Sequence, residues 1–155
     1  MSNVTEGKDD THFCPNDTCT RAEAVTFLWR AYGKPEVKST TMPFTDVPAD
    51  SYYYDAVLWA VEKGITVGTG KDTFSPNQDC TRGQIVTMLW RAEKYPKAGT
   101  ENPFNDVNKG VYYYDAVLWA ANTGVTAGTS KTTFSPNQDC TRAQIVTFLW
   151  RALGK

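Results

Sequence analysis

Phe74-Ser75-Pro76-Asn77-Gln78-Asp79-Cys80-Thr81-Arg82-Gly83-Gln84 decides the fold of this chain, because it occurs three times. It returns as Phe134-Ser135-Pro136-Asn137-Gln138-Asp139-Cys140-Thr141-Arg142-Ala143-Gln144, and in looser form as Phe13-Cys14-Pro15-Asn16-Asp17-Thr18-Cys19-Thr20-Arg21-Ala22-Glu23. Each copy ends in a capping box, Thr20-x-x-Glu23, Thr81-x-x-Gln84 or Thr141-x-x-Gln144. There the Thr hydroxyl accepts from the third helical amide and the Glu or Gln side chain reaches back to the cap amide. Each box stabilises a helix start by about 1 kcal/mol. The helices that follow run through Trp29, Trp90 and Trp150 and are apolar around most of their circumference, as in Ile85-Val86-Thr87-Met88-Leu89-Trp90. Such helices are buried on more than one side. They are expected to pack together as a central three-helix bundle, with all three Trp side chains in the core.

Ahead of the second and third copies lies a second pattern. Phe44-Thr45-Asp46-Val47 and Phe104-Asn105-Asp106-Val107 each precede a Tyr-Tyr-Tyr-Asp-Ala-Val-Leu-Trp-Ala run. In residues 52–63 the apolar positions fall at helical spacing, and Gly64 supplies the stop. Ile65 to Gly70 reads as a turn or a brief strand. Copies two and three are about two thirds identical, which marks a true repeat. No such front half precedes Phe13. The expected fold is therefore mainly α. It is a pseudo-threefold repeat domain whose central three-helix bundle carries flanking helix and loop prongs, the first prong incomplete. The expected organisation is a disordered lead-in at 1–11, a partial first repeat at 12–36, a second repeat at 43–97 and a third at 103–155, together one domain.

Composition excludes several classes. The 155 residues carry 16 basic and 17 acidic side chains, net −1, too balanced for the basic face that nucleic acid demands. No run of 18 or more apolar residues could insert into a membrane. The polar stretch Met1–Asp10 lacks a signal-peptide pattern. It reads as a chain kept inside the cell, a mature segment or a segment with an added Met, the last being expected. Cys19, Cys80 and Cys140 occupy matching places and Cys14 is extra. No Cys-x-x-Cys or His spacing accompanies them, so no metal site is expected. A Cys14–Cys19 disulfide and small buried thiols both stay open.

Three motifs together resemble the S-layer homology repeats of bacterial cell-surface proteins. They are Thr20-Arg21-Ala22-Glu23, the Phe-x-Asp-Val openings, and the Trp-Ala-x-x-x-Gly helices ending at Gly64 and Gly124 with their Gly-x-x-x-Gly-Thr turns. The resemblance covers residues 12–155. It implies an extracellular module that anchors S-layer or other surface cargo non-covalently to the wall. The implied partner is a secondary cell-wall polysaccharide, often one bearing a pyruvate ketal, held in grooves between repeats. No cofactor is implied. This chain departs from the motif in having Gln84 and Gln144 where Glu23 stands in the first copy.

The candidate binding residues follow from chemistry as well. Arg21, Arg82 and Arg142 open capped helices, where free amides and partial positive charge favour an anion. The guanidinium fork matches a carboxylate. The competing reading pairs each Arg with Asp46, Asp106 or another acid. Glu23, Gln84, Gln144, Asp46 and Asp106 are candidates for sugar hydroxyls, the Asp residues alternatively being turn caps. Trp59 and Trp119, with Tyr52–Tyr54 and Tyr112–Tyr114, offer flat faces for sugar rings or serve the core. Gly68-Thr69 and Gly128-Thr129 either admit a ligand close to backbone or simply make tight turns. No hydrolase, phosphate-loop or dinucleotide motif is present, and an enzyme is not expected. The alternative to a sugar anchor is a self-assembly or protein-interaction scaffold, in which every Arg would be neutralised internally.

Overall fold

The computed structural model describes residues 16–154. Five helices follow in order: α1 (Arg21–Ala31), α2 (Tyr54–Glu62), α3 (Arg82–Ala92), α4 (Tyr114–Asn122) and α5 (Arg142–Leu153). Among the described residues there are no strands beyond three isolated bridges. The fold is the mainly helical repeat expected. Cys14 and the lead-in at 1–11 lie outside the described residues.

All three capping boxes form. Thr20, Thr81 and Thr141 hydroxyls accept from the amides of Glu23, Gln84 and Gln144, whose side chains accept in return from the cap amides. The three helix starts are then tied into a closed ring. The Cys19 amide donates to the Cys140 carbonyl at 3.0 Å, Cys140 to Cys80 at 2.8 Å and Cys80 to Cys19 at 2.7 Å. Cys80 and Cys140 are free thiols, and all three cysteine side chains beside this ring are fully buried. Cys19 is buried, and the disulfide reading rests on Cys14, which lies outside the described residues.

Outside the ring, each helix start is closed by its neighbour. Arg21 and Ala22 amides donate to the Gln78 and Pro76 carbonyls, Arg82 and Gly83 to Gln138 and Pro136, and Arg142 to Asp17. This corrects the expectation of free amides at the helix starts. A helix leaves its first amides unsatisfied, and here the next repeat's loop satisfies them. Any anion must therefore be met by side chains.

The outer helix α2 packs on α1 and α4 packs on α3, while α5 contacts both α1 and α3. Helix α2 begins two residues later than expected and ends one earlier. Tyr52 and Tyr53 sit in the turn before it, and no side chain caps it. Residues 65–70 form a turn, closed by the Thr69 amide on the Thr73 carbonyl at 2.9 Å.

The aromatic assignment reverses. Trp59 and Trp119 are 4% and 6% exposed, whereas Trp150 is 60% exposed. Trp29 and Trp90 are only partly buried, their indole N–H groups donating to the Pro35 and Pro96 carbonyls. The physical reason is the packing order. Each outer helix turns its Trp toward the bundle, and Trp59 meets Tyr32 at 5.6 Å between ring centroids.

Candidate functional site

Arg21 and Arg82 occupy the same environment in successive repeats. Each Nε donates to a Phe carbonyl of the next repeat, Arg21 to Phe74 at 2.8 Å and Arg82 to Phe134 at 2.9 Å. Each guanidinium lies 4.7 Å above the centre of that same Phe ring. This is a cation–π contact in a desolvated place, worth about 1–2 kcal/mol. Burial pulls both guanidinium pKa values down, and neighbouring groups, including Asp46 for Arg21 and Asp106 for Arg82, pull them partly back. Neither Arg forms an ion pair among the described residues. Arg142 differs. It sits 4.9 Å over the Phe27 ring, and its Nη1 donates to Glu23 Oε2 at 3.0 Å in a salt bridge.

The Phe carbonyls are held in place by Asp46 and Asp106. Asp46 accepts from the Phe74 and Ser75 amides at 2.9 and 2.8 Å, and Asp106 does the same for Phe134 and Ser135. Ser75 and Ser135 have φ near +60°, a left-handed conformation that non-glycine residues rarely adopt and that costs energy. The paired hydrogen bonds to a carboxylate hold that conformation. Asp46 and Asp106 are thus turn caps that position the Arg-binding carbonyls. Thr69 and Thr129 hydroxyls hydrogen-bond to the Ser75 and Ser135 hydroxyls, closing the same loop. Gly68 is required for packing, since a Cβ there would meet Phe44 at 2.5 Å and the Thr73 carbonyl at 2.4 Å. Gly128 repeats this against Phe104 and Thr133.

Two equivalent grooves result. The Gln84 groove, 460 Å³, runs between Arg21, the 66–69 turn, Gln84, Thr87, Arg91 and Tyr112. The Gln144 groove, 240 Å³, runs between Arg82, the 126–129 turn, Gln144, Thr147 and Arg151. Each is lined by two Arg side chains and no carboxylate. A larger cleft of 580 Å³ lies between α1, its following linker and α2, but Lys34, Glu36 and Asp55 give it mixed charge and no ligand preference.

The identity of the capping-box residue decides the charge of each groove. Glu23 divides its two oxygens: Oε1 accepts from the Thr20 amide, and Oε2 neutralises Arg142. Gln84 and Gln144 use Oε1 for the cap in the same way. Their other terminal atom is an amide nitrogen, which cannot accept from a guanidinium.

Two lining residues, Arg91 and Arg151, carried no sequence signal strong enough to single them out. Arg91 and Arg151 follow the Trp in each copy, nine residues after Arg82 and Arg142. At 3.6 residues per turn that is about two and a half turns, so each helix sends its first Arg into one groove and its second into the other neighbour. Arg91 Nη1 also donates to the Ile65 carbonyl at 3.1 Å. Tyr112, 58% exposed, is the available aromatic of the Gln84 groove, and Tyr52 lies against Thr20, Glu23 and Arg142. Trp59 and Trp119, candidates for ring stacking, line neither groove and are buried. Among the described residues no cluster of His, Cys, Asp or Glu could hold a metal ion, and no helix is long and apolar enough to cross a membrane.

Fold and grooves define a class: a tandem-repeat helical module whose grooves recur between repeats. The family described as the S-layer homology domain matches residues 1–25, 43–86 and 103–146. The chain belongs to that family. It is 31% identical over 155 residues to the surface-layer 125 kDa protein of Lysinibacillus sphaericus, covering 97% of this chain and 13% of that protein. It is 31% identical over 117 residues to an endoglucanase of Bacillus sp. (strain KSM-635), covering 76% of this chain and 12% of the enzyme. It is 30% identical over 109 residues to the S-layer protein sap of Bacillus anthracis, covering 70% and 13% respectively. The chain thus spans a small part of each relative. Family and relatives together indicate a module of the bacterial cell surface with a general anchoring role.

Proposed function

We propose that this chain anchors cargo non-covalently by holding an acidic secondary cell-wall polysaccharide, such as a pyruvylated one, in its inter-repeat grooves. One observation carries the reading. Two symmetry-related grooves each present two Arg side chains with no carboxylate among their lining residues. Arg21 and Arg82 would clamp the acidic sugar, oriented by the Phe carbonyls and the ring faces beneath them. Arg91 and Arg151 would add a second cation at the far end of each groove. Gln84 and Gln144 would donate their side-chain amides to sugar oxygens, and Tyr112 would pack on a ring face. Asp46, Asp106, Gly68, Thr69, Gly128 and Thr129 act as positioning residues that set the shape of the groove wall.

Two weak sites on one polymer give avidity without a single strong contact. The module itself is non-catalytic in this reading, and the cargo is whatever surface protein it is joined to. The scaffold alternative expects every Arg to be neutralised internally. The absence of an ion pair at Arg21 and Arg82 among the described residues weighs against it.

The test is sedimentation of the chain with Gram-positive sacculi before and after acid extraction of the wall polysaccharide. Binding that disappears on extraction is expected. Binding that survives extraction, or no binding to any wall preparation, would overturn the proposal and favour the scaffold.

A further inference from the structure

Next to Arg91, the second cation of the Gln84 groove, an aromatic ring is held open to solvent. Arg91 Nη1 donates to the Ile65 carbonyl at 3.1 Å, and the Tyr95 hydroxyl donates to the Gly64 carbonyl at 3.2 Å. Two successive carbonyls of one loop therefore hold the last Arg of the groove and, beside it, a Tyr that is 53% exposed. The Tyr95 amide donates to the Trp90 carbonyl at 3.1 Å, and its ring meets the Trp90 ring nearly edge to face at 4.9 Å between centroids. Trp90 is itself tied to the Pro96 carbonyl through its indole N–H. The ring is thus positioned by backbone, hydroxyl and neighbour, with a free face left over.

Holding this turn costs energy at one residue in particular. Lys94 has φ +69°, a left-handed conformation, where the matching residues of the other two copies are Gly33 and Gly154 at +85° and +72°. Glycine takes that conformation at no steric cost and lysine does not. Such strain points to a use for the side chain. The charge around Tyr95 agrees. Lys63 precedes Gly64, Lys94 precedes Tyr95, and both are exposed and in no ion pair among the described residues. The acids next to them are engaged elsewhere. Glu62 accepts from the Lys38 and Ser39 amides, and Glu93 accepts from the Tyr32 hydroxyl. In the third copy Thr123 and Gly154 stand where Lys63 and Lys94 do.

We propose, resting on the acidic-glycan reading of the Gln84 groove, that Tyr95, Lys63 and Lys94 form an outer subsite that continues this groove. It receives an adjoining acidic sugar of the same polymer, the ring face on Tyr95 and the charge at the two lysines. The polymer then runs from Arg21 past Arg91 to Tyr95. The Gln144 groove has no lysine at the two matching positions, so its grip depends less on glycan length.

The test titrates the isotope-labelled chain with two probes, a methyl hexoside bearing a pyruvate ketal and acidic oligosaccharides released from sacculi by mild acid. The monosaccharide is expected to shift the Arg21 and Gln84 side-chain resonances alone. The oligosaccharides are expected to shift Tyr95 and Lys94 as well and to bind about fivefold more tightly, since the second contact is intramolecular. Tyr95→Ala and Lys63→Gln/Lys94→Gly should each remove that gain and leave monosaccharide binding unchanged. Lys94→Gly alone should also raise the melting midpoint by about 2 °C by releasing the strain, so that lost binding is not mistaken for lost folding. Monosaccharide binding at Arg21 with no further shift or affinity from the oligosaccharides would overturn the outer subsite and leave the groove standing. A length-dependent gain that survives both variants would place the second contact elsewhere and overturn it too. Failure of both probes to shift Arg21 would overturn the acidic-glycan reading, and the outer subsite with it.

Discussion

The Gln84 and Glu23 capping boxes are built alike and leave the neighbouring Arg in opposite electrostatic states. In both, a capping-box side chain closes a helix start, and the Arg of another repeat lies over a Phe ring. One atom separates them. Glu23 presents a second oxygen and binds Arg142 at 3.0 Å, whereas Gln84 presents an amide nitrogen beside Arg21. The lesson is that the capping box serves two ends at once. Its inner oxygen holds the helix, and its outer atom sets whether the neighbouring Arg is neutralised or available.

Substitutions at these residues pull the two electrostatic states apart, Asp46 most strongly. Asp46→Ala leaves the Phe74 and Ser75 amides without their acceptor and releases the left-handed Ser75. Each lost charge-assisted bond is worth about 1.5–3 kcal/mol, so a denaturant midpoint should show a loss of about 2–5 kcal/mol. The Gln84 groove loses its shape with it, while the Glu23 pair survives. Asp106→Ala should behave likewise at the Gln144 groove.

Glu23→Gln brings the third capping box to the state of the other two. It keeps the capping box but removes the partner of Arg142. The pair is partly exposed on the Glu side, so the expected cost is about 1–2 kcal/mol after allowing for solvent. An unchanged melting midpoint would show that the pair contributes nothing.

The reverse change, Gln84→Glu with Gln144→Glu, should neutralise Arg21 and Arg82. Stability should rise by about 0.5–1 kcal/mol, and affinity for sacculi should fall about tenfold, with a shallower dependence on salt. Tighter binding would mean that the glycan contacts the capping-box carboxylate itself.

The smallest effect concerns the cysteine ring that ties the three helix starts together. Burial pushes the Cys80 thiol up from 9.0 to about 12, and Cys140 upward as well. The folded state therefore keeps these protons where the unfolded chain loses them. Stability should be unaffected below pH 9 and should decline as pH climbs from 9 through 12. A chain with Cys19, Cys80 and Cys140 replaced by Val should lose that part of the slope. A thiol reagent at neutral pH should label none of the three until the chain is unfolded.

Local patterns were legible in the sequence. The capping boxes, the three inner helices and the two outer ones all follow from motifs within a dozen residues. Burial of Cys19, Cys80 and Cys140 was one of two open readings. What could not be read was the destination of groups that leave their own repeat. The helix-start amides look free until the carbonyls of Pro76, Gln78, Pro136 and Gln138 arrive from the following unit. Trp150 shares the Leu-Trp-Arg-Ala sequence of Trp90, but its surroundings differ because among the described residues no outer helix packs on α5 as α4 packs on α3. Arg91 was overlooked because it faces a groove completed by the Arg of another helix, and helical spacing alone does not reveal that partner.

Charge availability, and not fold, separates the Gln84 and Gln144 grooves from the Glu23–Arg142 pair. The most direct measurement compares two double variants in sedimentation with intact Gram-positive sacculi, each checked for helical content. Arg21→Gln with Arg82→Gln is predicted to lose binding. Glu23→Gln with Arg142→Gln is predicted to retain it within about twofold, because removing both partners deletes the pair without leaving a lone charge. Retained binding in the first variant, or lost binding confined to the second, would contradict the account.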